Sequence, residues 1–339
     1  MGIKLSDIVE TEKRSLSDFS KQKIAIDGYI VLYQFITSIR TGDGQMLTDF
    51  NGRPVSHLKG ILSRTSRLVG EGILPVYVFD GKPHPLKKDT LDQRRAIKEA
   101  AAQAYKVALE EGDMDRARVK AAQTSRVTKE MVEQAKTMLE YMGIPCVQAP
   151  GEGEAQAAYM TKKGDVWACA SQDFDALLFG SPKLVRNMTS TGRRKLPGVN
   201  RYINVVPEYI DLEMVLKTLE ITQDQLIDMS LLIGTDFNPG IKGVGPKTAL
   251  KLIREFGTLE EILKAKEYSV ENAEEIKGIF HTPDVTDDYE LKWNMTNDEK
   301  LKEFLCGDFG FGEEGVNRSL EVLKEFKAAA AQKSLDQFF

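Results

Sequence analysis

The sequence predicts an α/β protein with a central, mostly parallel sheet flanked by helices. Three short apolar segments have the length and composition of buried strands. These segments are Lys23–Ile26, Val76–Phe79 and Val166–Ala170. Helical patterns lie between them, as in the strand–helix–strand units that build parallel sheets.

Each of the three predicted strands is followed by an aspartate. Asp27 and Asp80 come directly after the first two strands, and Asp173 follows the third after a short polar turn. A helix N-cap or a turn explains each aspartate separately. The carboxyl ends of parallel strands, however, share one edge of the sheet, where α/β proteins form their sites. Three acids at that edge favour one common site.

Length and composition indicate an intracellular globular protein. The chain has 339 residues, of which 42% are hydrophobic and 29% charged, and its net charge is −5. Because no apolar run is long enough for a bilayer and the polar start is unlike a signal peptide, we expect a cytoplasmic protein without membrane contact. The three cysteines and three histidines are widely separated, which argues against a zinc site, a disulfide framework and histidine-based catalysis.

The first strand is followed by a predicted helix over residues 28–40, a glycine-rich loop over 41–56 and a second helix over 56–71. Residues 87–126 are helical and alanine-rich, and Gly112 divides them into two helices. With few large apolar side chains, this segment should stand off the body and order only partly without a partner.

The base of this helical segment is basic, with Lys87, Lys88, Arg94 and Arg95 close together. A surface hairpin with solvated charges accounts for this pattern. A mobile basic cap over the site accounts for it equally well, and the sequence does not separate the two interpretations.

The stretch Pro150–Gly180 contains two tight acidic pairs. It is preceded by a predicted helix over about 128–142 and a strand over 144–147. Glu152 and Glu154 lie where a loop enters a helix, and Asp173 and Asp175 lie just past the third strand. Four carboxylates at neighbouring junctions repel one another unless cations lie between them. The pattern predicts a metal site that acts on phosphate.

Two later segments suggest nucleic-acid contact. Residues 181–202 carry six basic residues and no acid, which fits a phosphate-facing surface or simply a solvated basic hairpin. GIKGVGPKTA at 240–249 opens a helix, and its glycines and free N–H groups suit a phosphate backbone. A plain helix–turn–helix is the alternative. Residues 207–233 are predicted to be helical, and 258–327 to form helices and loops.

The last residues place Leu335, Phe338 and Phe339 on one face of a helical turn. They could fold back on the core. Because chain ends are usually loose, we favour docking to a partner.

Together these motifs resemble the archaeal flap endonucleases of the structure-specific 5′-nuclease superfamily. The resemblance covers essentially the whole chain and is highly specific. It is carried by MGIKLSDIV, IAIDGYIVLYQF, PVYVFDGKPHPLK, APGEGEAQAAY, SQDFDALLFG, GTDFNPGIKGVGPKTA and QKSLDQFF. It implies a 5′ flap endonuclease with 5′-3′ exonuclease activity that cuts at single-strand/double-strand junctions in DNA replication, including Okazaki fragment maturation, and in DNA repair.

The resemblance also implies a division of the chain. Its parts are an N-terminal nuclease region at 1–98, a helical arch over the active site at 87–126, an internal nuclease region with a helix–two-turn–helix motif at 116–258, a C-terminal helical region at 259–331 and a sliding-clamp-binding tail at 332–339. Eukaryotic relatives carry a basic extension after the tail, so we expect an archaeal type without nuclear targeting. We also expect a monomer.

Site residues follow from the same resemblance. The implied metal ligands are Asp27, Asp80, Glu152, Glu154, Asp173, Asp175 and Asp236. Lys87 and Arg94 are implied to contact the scissile phosphate. The implied DNA contacts are Gly2, Tyr33, Arg40, Arg64 and Arg67, with Gly243, Gly245 and Lys247 in the helix–two-turn–helix. The implied contacts with the clamp (PCNA) are Gln332, Leu335, Phe338 and Phe339.

The proposed ligands are all oxygens, which predicts a hard cation such as Mg²⁺, with Mn²⁺ as a substitute. Two ions about 4 Å apart would serve an in-line displacement that leaves a 5′-phosphate and a 3′-hydroxyl. The resemblance adds K⁺ at the helix–two-turn–helix.

A non-catalytic clamp-bound DNA scaffold would not need seven carboxylates. A Mg²⁺-dependent phosphatase would not need the arch, the GVGPKTA segment or the tail.

Overall fold

The computed structural model describes residues 2–41, 44–190, 192–195 and 202–335. The strands are β1 (Glu12–Lys13), β2 (Lys23–Asp27), β3 (Leu74–Phe79), β4 (Cys146–Gln148), β5 (Ala168–Ala170), β6 (Lys183–Arg186), β7 (Gly192–Lys195), β8 (Tyr202–Val205) and β9 (Glu208–Asp211). The helices of the first half are α1 (Gly28–Ser38), α2 (Ser56–Gly70), α3 (Lys88–Glu110), α4 (Met114–Gln123), α5 (Lys129–Tyr141), α6 (Gly153–Lys163) and α7 (Asp175–Leu178). Those of the second half are α8 (Leu212–Leu219), α9 (Gln223–Ile233), α10 (Pro246–Phe256), α11 (Leu259–Lys266), α12 (Ala273–His281), α13 (Asp298–Lys302) and α14 (Glu313–Leu335).

Seven strands form one sheet in the order β1-β9-β6-β5-β2-β3-β4. The five strands from β6 to β4 run parallel, whereas β9 pairs antiparallel with β6, and β1 antiparallel with β9. Strands β7 and β8 form a separate antiparallel hairpin. The predicted α/β class with a mostly parallel central sheet is therefore confirmed. Within the described residues, none of the helices is long and apolar enough to cross a bilayer.

Hydrophobic cores lie on both faces of the sheet, and β2 contributes to each because its side chains alternate. Ile24 and Ile26 pack on the face covered by α1, α2, α5 and α14, while Ala25 packs on the face covered by α6, α7 and α9. Small residues on the second face, such as Ala157 and Ala158 of α6, let this helix lie close to the sheet. The acidic start of α6 is thereby brought near the strand ends.

A loop from the C-terminal region holds α6 in place. The side-chain amide of Gln156, which is fully buried, donates to the carbonyl of Thr286 (2.9 Å) and accepts from the N–H of Thr286 (2.8 Å). The pair links positions 130 residues apart in sequence. This contact fixes the orientation of the helix that carries the first acidic pair.

One expectation is wrong. Residues 207–233 were expected to be helical throughout, but β9 occupies Glu208–Asp211 before α8 begins. The reason is pairing with β6 at the side of the sheet, where Ile210 is buried and its neighbours are half-exposed. A four-residue strand stabilised by such distant pairing leaves little signal in its own sequence.

Helices α3 and α4 form a hairpin that buries little. Their buried side chains are all alanines, namely Ala101, Ala108, Ala117 and Ala121. Ile97 and Val119 are exposed. The break at Gly112, which has a positive φ of 71°, is as expected from the sequence.

His57 in α2 predicts a pH-dependent stability. Its ring is fully buried, Nε2 bonds Gln134 Oε1 (2.8 Å), and within the described part of the chain Nδ1 has no hydrogen-bond partner. Burial lowers the pKa of His57 to about 4, against a weaker opposing effect of Gln134. The unfolded chain, with an ordinary pKa near 6.5, therefore takes up the proton first. Stability is kept above pH 6.5 and falls as the pH drops towards 4.

We expect wild-type protein to lose about 2 kcal/mol more than His57→Gln between pH 7.5 and pH 5 in urea unfolding. His281→Gln is the matched control because His281 is exposed, and it should keep the wild-type loss. Equal pH dependence in wild type and His57→Gln would contradict this assignment.

Candidate active site

Strand ends bring the predicted aspartates to one edge of the sheet. Asp27 is the last residue of β2, Asp80 directly follows β3, and Asp173 lies three residues past β5. Because β2 lies between β3 and β5, these three acids are neighbours. Asp27 also caps α1, since its Oδ1 accepts from the N–H of Ile30 (2.9 Å). Asp27 therefore caps α1 and at the same time lies beside the other two acids.

The start of α6 adds the first acidic pair. The N–H of Gly153 donates to Asp80 Oδ1 (2.7 Å), which joins this helix to the end of β3. A Cβ on Gly153 would lie 2.6 Å from the same oxygen, so only glycine fits here without a shift. Glu154, one residue on, accepts a hydrogen bond from the hydroxyl of Ser171.

The N-terminal segment contacts the second acidic pair. The N–H of Gly2 donates to Asp173 Oδ2 (3.0 Å), and the N–H of Ile3 donates to Asp175 Oδ1 (2.7 Å). A Cβ on Gly2 would approach Asp175 Oδ1 to 2.5 Å. Two carboxylates are thus stabilised by backbone dipoles of the chain's first residues.

Asp236, which follows α9, meets the base of the α3–α4 hairpin. Arg94 Nη2 donates to Asp236 Oδ1 (2.5 Å), and Lys87 Nζ lies 3.6 Å from Asp236 Oδ2. Lys87 also donates to Glu152 and lies over the ring of Phe237 (5.1 Å to its centre). The two predicted phosphate-binding cations therefore lie among the predicted metal ligands.

Burial and mutual repulsion dominate the electrostatics of the carboxyl groups. Burial, with repulsion from Asp80 and Asp173, raises the pKa of Asp27 above its ordinary range. Burial, with repulsion from Asp175, does the same for Glu154. Burial also raises the pKa of Asp175 to about 7, with a contribution from Asp173. An anionic group that is both buried and repelled gains from a cation beside it.

Lys87 and Arg94, at the base of the α3–α4 hairpin, oppose the rise in pKa of the carboxyl groups next to them. Burial and the charge of Glu152 raise the pKa of Asp80 to about 6. Burial raises the pKa of Asp236, but nearby positive charges, Lys87 and Arg94 among them, outweigh burial and hold this pKa below its ordinary range. These interactions link all seven predicted ligands, namely Asp27, Asp80, Glu152, Glu154, Asp173, Asp175 and Asp236.

The donor set fits a hard divalent cation by its chemistry, since every donor is a carboxylate oxygen. In the described part of the chain, no three Asp, Glu, His or Cys side chains converge on one point as a ready ligand set. Several oxygens instead accept hydrogen bonds from Lys87, Arg94 and backbone N–H groups. Lys87 and Arg94 thus supply part of the positive charge that this carboxylate cluster requires.

Comparison with known proteins assigns the chain to a family. Residues 1–101 match the XPG N-terminal domain, 143–236 the XPG I-region, and 221–282 the 5′-3′ exonuclease C-terminal SAM fold. The chain is 47% identical to flap endonuclease 1 of Methanosarcina acetivorans and 48% identical to that of Archaeoglobus fulgidus, over the whole length of both partners. The chain belongs to the flap endonuclease 1 family.

The fold agrees with this membership. The structure of the flap endonuclease-1 from Methanococcus jannaschii superimposes with a TM-score of 0.78 at 41% identity. The match covers 97% of this chain and 100% of that one. The resemblance that the motifs carry is therefore confirmed.

Predicted DNA contacts of this flap endonuclease family member lie on several elements. Tyr33 lies on α1, with Lys98 Nζ 5.4 Å from its ring centre. Arg64 and Arg67 lie on α2, and the backbone of β7 passes close to Arg67. Arg40, just past α1, bonds protein groups: Nη1 donates to the carbonyl of Gly44 (2.5 Å) and Nη2 to the hydroxyl of Ser125.

Of the predicted helix–two-turn–helix residues, Gly243 and Gly245 lie between α9 and α10, and Lys247 lies in the first turn of α10. Gly243 has a φ of 85°, and Gly245 is the residue before Pro246, which opens α10. A Cβ on either glycine would meet nothing within 4 Å, and Lys247 is exposed, so a backbone has room to approach. In the predicted tail, Gln332 and Leu335 belong to α14, and Phe338 and Phe339 lie outside the described residues.

Sequence reasoning missed the part played by Gly81. Its N–H donates to the carbonyl of Gly151 (2.7 Å), which joins the turn after β3 to the loop before α6. A Cβ there would lie 2.2 Å from the carbonyl oxygen of Pro150 and 2.3 Å from that of Ala149. The Asp-Gly pair was the available signal, but it indicated only a turn.

We expect Gly81→Ala to lower the free energy of unfolding by at least about 2 kcal/mol, because both obstructing atoms belong to the backbone. Gly278→Ala is the control, since a Cβ on this helical glycine meets nothing within 4 Å. It should be neutral or raise stability by up to about 1 kcal/mol. Urea unfolding measures both, and equal stability of the two variants would contradict the close approach.

Proposed function

We propose that this chain is a structure-specific 5′ flap endonuclease with 5′-3′ exonuclease activity, acting on single-strand/double-strand junctions in DNA replication and repair. The observation that carries the proposal is the meeting of seven carboxylates from distant parts of the chain beside Lys87 and Arg94. The names of the full-length relatives support the same activity.

A divalent metal requirement follows from charge. Seven carboxylates carry a formal charge of −7, which about two Mg²⁺ ions reduce to −3 and the two base cations to −1. Bound Mg²⁺, or Mn²⁺ in its place, supplies Lewis-acid chemistry for attack by water and departure of the leaving oxygen. Without this compensation the pocket repels the phosphate that it must cleave. The products carry a 5′-phosphate and a 3′-hydroxyl.

Lys87 and Arg94 are proposed to stabilise the charge that develops on the reacting phosphate. Both side chains bond carboxylates of the pocket and come from the arch formed by α3 and α4. A phosphate entering beneath the arch therefore meets both cations. It also meets the carboxylates proposed to hold the metal ions, because Lys87 and Arg94 lie among them.

DNA binding is proposed to use backbone contacts and not base edges. The proposed contacts near the junction are Gly2, Tyr33, Arg40, Arg64 and Arg67. Gly243, Gly245 and Lys247 hold the downstream duplex with a K⁺ ion at the helix–two-turn–helix. The tail, through Gln332, Leu335, Phe338 and Phe339, binds a sliding clamp. The enzyme acts as a monomer on branched DNA whose 5′ flap passes the arch.

The proposal is tested with an end-labelled double-flap DNA, incubated with and without Mg²⁺, and the cut mapped to the nucleotide. Cleavage at the flap junction only with Mg²⁺ supports it. Binding of branched DNA without cleavage in Mg²⁺ or Mn²⁺ would instead indicate a DNA scaffold. Hydrolysis of small phosphate esters without salt-sensitive DNA binding would indicate a phosphatase.

The second acidic pair gives a mutational prediction. Asp173→Asn and Asp175→Asn should abolish detectable cutting, because each removes a negative charge from the metal site. An amide oxygen can still accept the hydrogen bonds from Gly2 and Ile3, so folding and DNA binding in Mg²⁺ should be kept. Asp288→Asn on an exposed loop is the control and should cut normally. Near-normal turnover in either site variant would contradict the assignment.

Lys87→Ala and Arg94→Ala should lower the single-turnover rate by about a hundredfold while changing DNA affinity far less. The reason is that both cations face the reacting phosphate and neither is a metal ligand. Arg318→Ala, which removes a surface arginine of α14, is the control. A single-turnover rate unaffected by both site substitutions refutes the role.

A further inference from the structure

Helix α1 is attached to both legs of the α3–α4 hairpin. On the α3 side, Lys98 lies over the ring of Tyr33, 5.4 Å from its centre. On the α4 side, Arg40, two residues past the end of α1, bonds Ser125, two residues past the end of α4. One short helix thus contacts the hairpin at two separate points.

The guanidinium of Arg40 is engaged by protein acceptors. Nη1 donates to the carbonyl of Gly44 (2.5 Å), and Nη2 donates to the hydroxyl of Ser125. Nε is buried and has no hydrogen-bond partner among the residues that the structure describes. Ser125 is only 3% exposed, and its hydroxyl also donates to the carbonyl of Ala122 (2.9 Å), so it closes the end of α4. With these contacts, the guanidinium of Arg40 faces the hairpin more than it faces solvent.

Gly44, in the segment that follows Arg40, packs against α4 as well. Gly44 has a φ of 88°, and a Cβ added to it would lie 2.8 Å from the Cα of Arg118. Arg40 also forms an isolated β-bridge with Met46. We name the group Arg40, Gly44 and Ser125 the hairpin latch.

The latch matters because the described side chains of the hairpin bury little apolar surface. The buried side chains of α4 are two alanines, Ala117 and Ala121, whose burial contributes little free energy. A guanidinium that spans two acceptors on different segments supplies direction as well as energy. A hairpin so lightly packed takes its position from a few specific contacts of this kind.

We infer that Arg40 is a positioning residue that holds the α4 leg of the hairpin to α1, and with it the orientation of the whole hairpin over the acidic pocket. Its kinetic consequence rests on the proposed function, because Lys87 and Arg94 lie at the base of the same hairpin. This role is additional to the proposed DNA contact of Arg40. The alternative is a DNA contact alone, in which the charge of Arg40 matters and its bond to Ser125 does not.

The first test measures amide hydrogen exchange in residues 114–126 of the free, full-length protein. Ser125→Ala removes the hydroxyl acceptor and keeps the positive charge of Arg40. Arg40→Lys keeps the positive charge and removes the guanidinium that donates to two acceptors. Both should exchange about tenfold faster in α4, with no change in α9. Ser38→Ala on α1 is the control, since the hydroxyl of Ser38 is exposed and donates to the carbonyl of Gln34 within the same helix.

The second test measures cutting of a 5′ flap. Ser125→Ala should lower the single-turnover rate several-fold and leave DNA affinity within about twofold, because the Arg40 charge remains. Unchanged exchange in α4 overturns the latch even if the protein cuts DNA as proposed. Faster exchange with an unchanged single-turnover rate overturns the positioning role. Faster exchange in α4 of the variants, together with no cutting of the flap, supports the latch but refutes the nuclease proposal.

Discussion

Repulsion among buried carboxylates is the constraint on which this structure depends. The parallel sheet brings the ends of β2, β3 and β5 together, and each end delivers an aspartate. Helices α6 and α7 add further acids to the same edge. Such a cluster folds only where positive charge or N–H dipoles compensate it. The N-terminal segment and the base of the α3–α4 hairpin supply that compensation, so neither is a passive appendage of the fold.

Small residues make this convergence possible. Glycine at positions 2, 81 and 153 lets backbone approach carboxylate or carbonyl oxygens at distances that a Cβ would prevent. On β2, the small Ala25 faces an alanine-rich side of α6. Electrostatic compensation therefore requires close packing, because an N–H stabilises a carboxylate only at hydrogen-bond distance.

The sequence predicts the parts of the site that arise from local pattern. Apolar strands followed by Asp27, Asp80 and Asp173 are visible because strand and acid are adjacent in the chain. Strand β9 is not visible, since its pairing with β6 determines it. The bond between Arg40 and Ser125 joins residues 85 apart, and no local pattern indicates it. The placement of Asp236 beside the hairpin base is likewise a long-range contact, expected only from the resemblance.

The charge of the pocket and the position of the hairpin form one linked equilibrium. Lys87 and Arg94 stabilise Glu152 and Asp236 only while the hairpin base lies over the pocket. Any cation that binds these carboxylates competes with the two side chains for the same oxygens, and linkage makes that competition reciprocal. This competition gives a physical reason for the attachment of both hairpin legs to α1. In the proposed function, this attachment keeps the hairpin in place when Lys87 and Arg94 exchange their carboxylate partners for a phosphate.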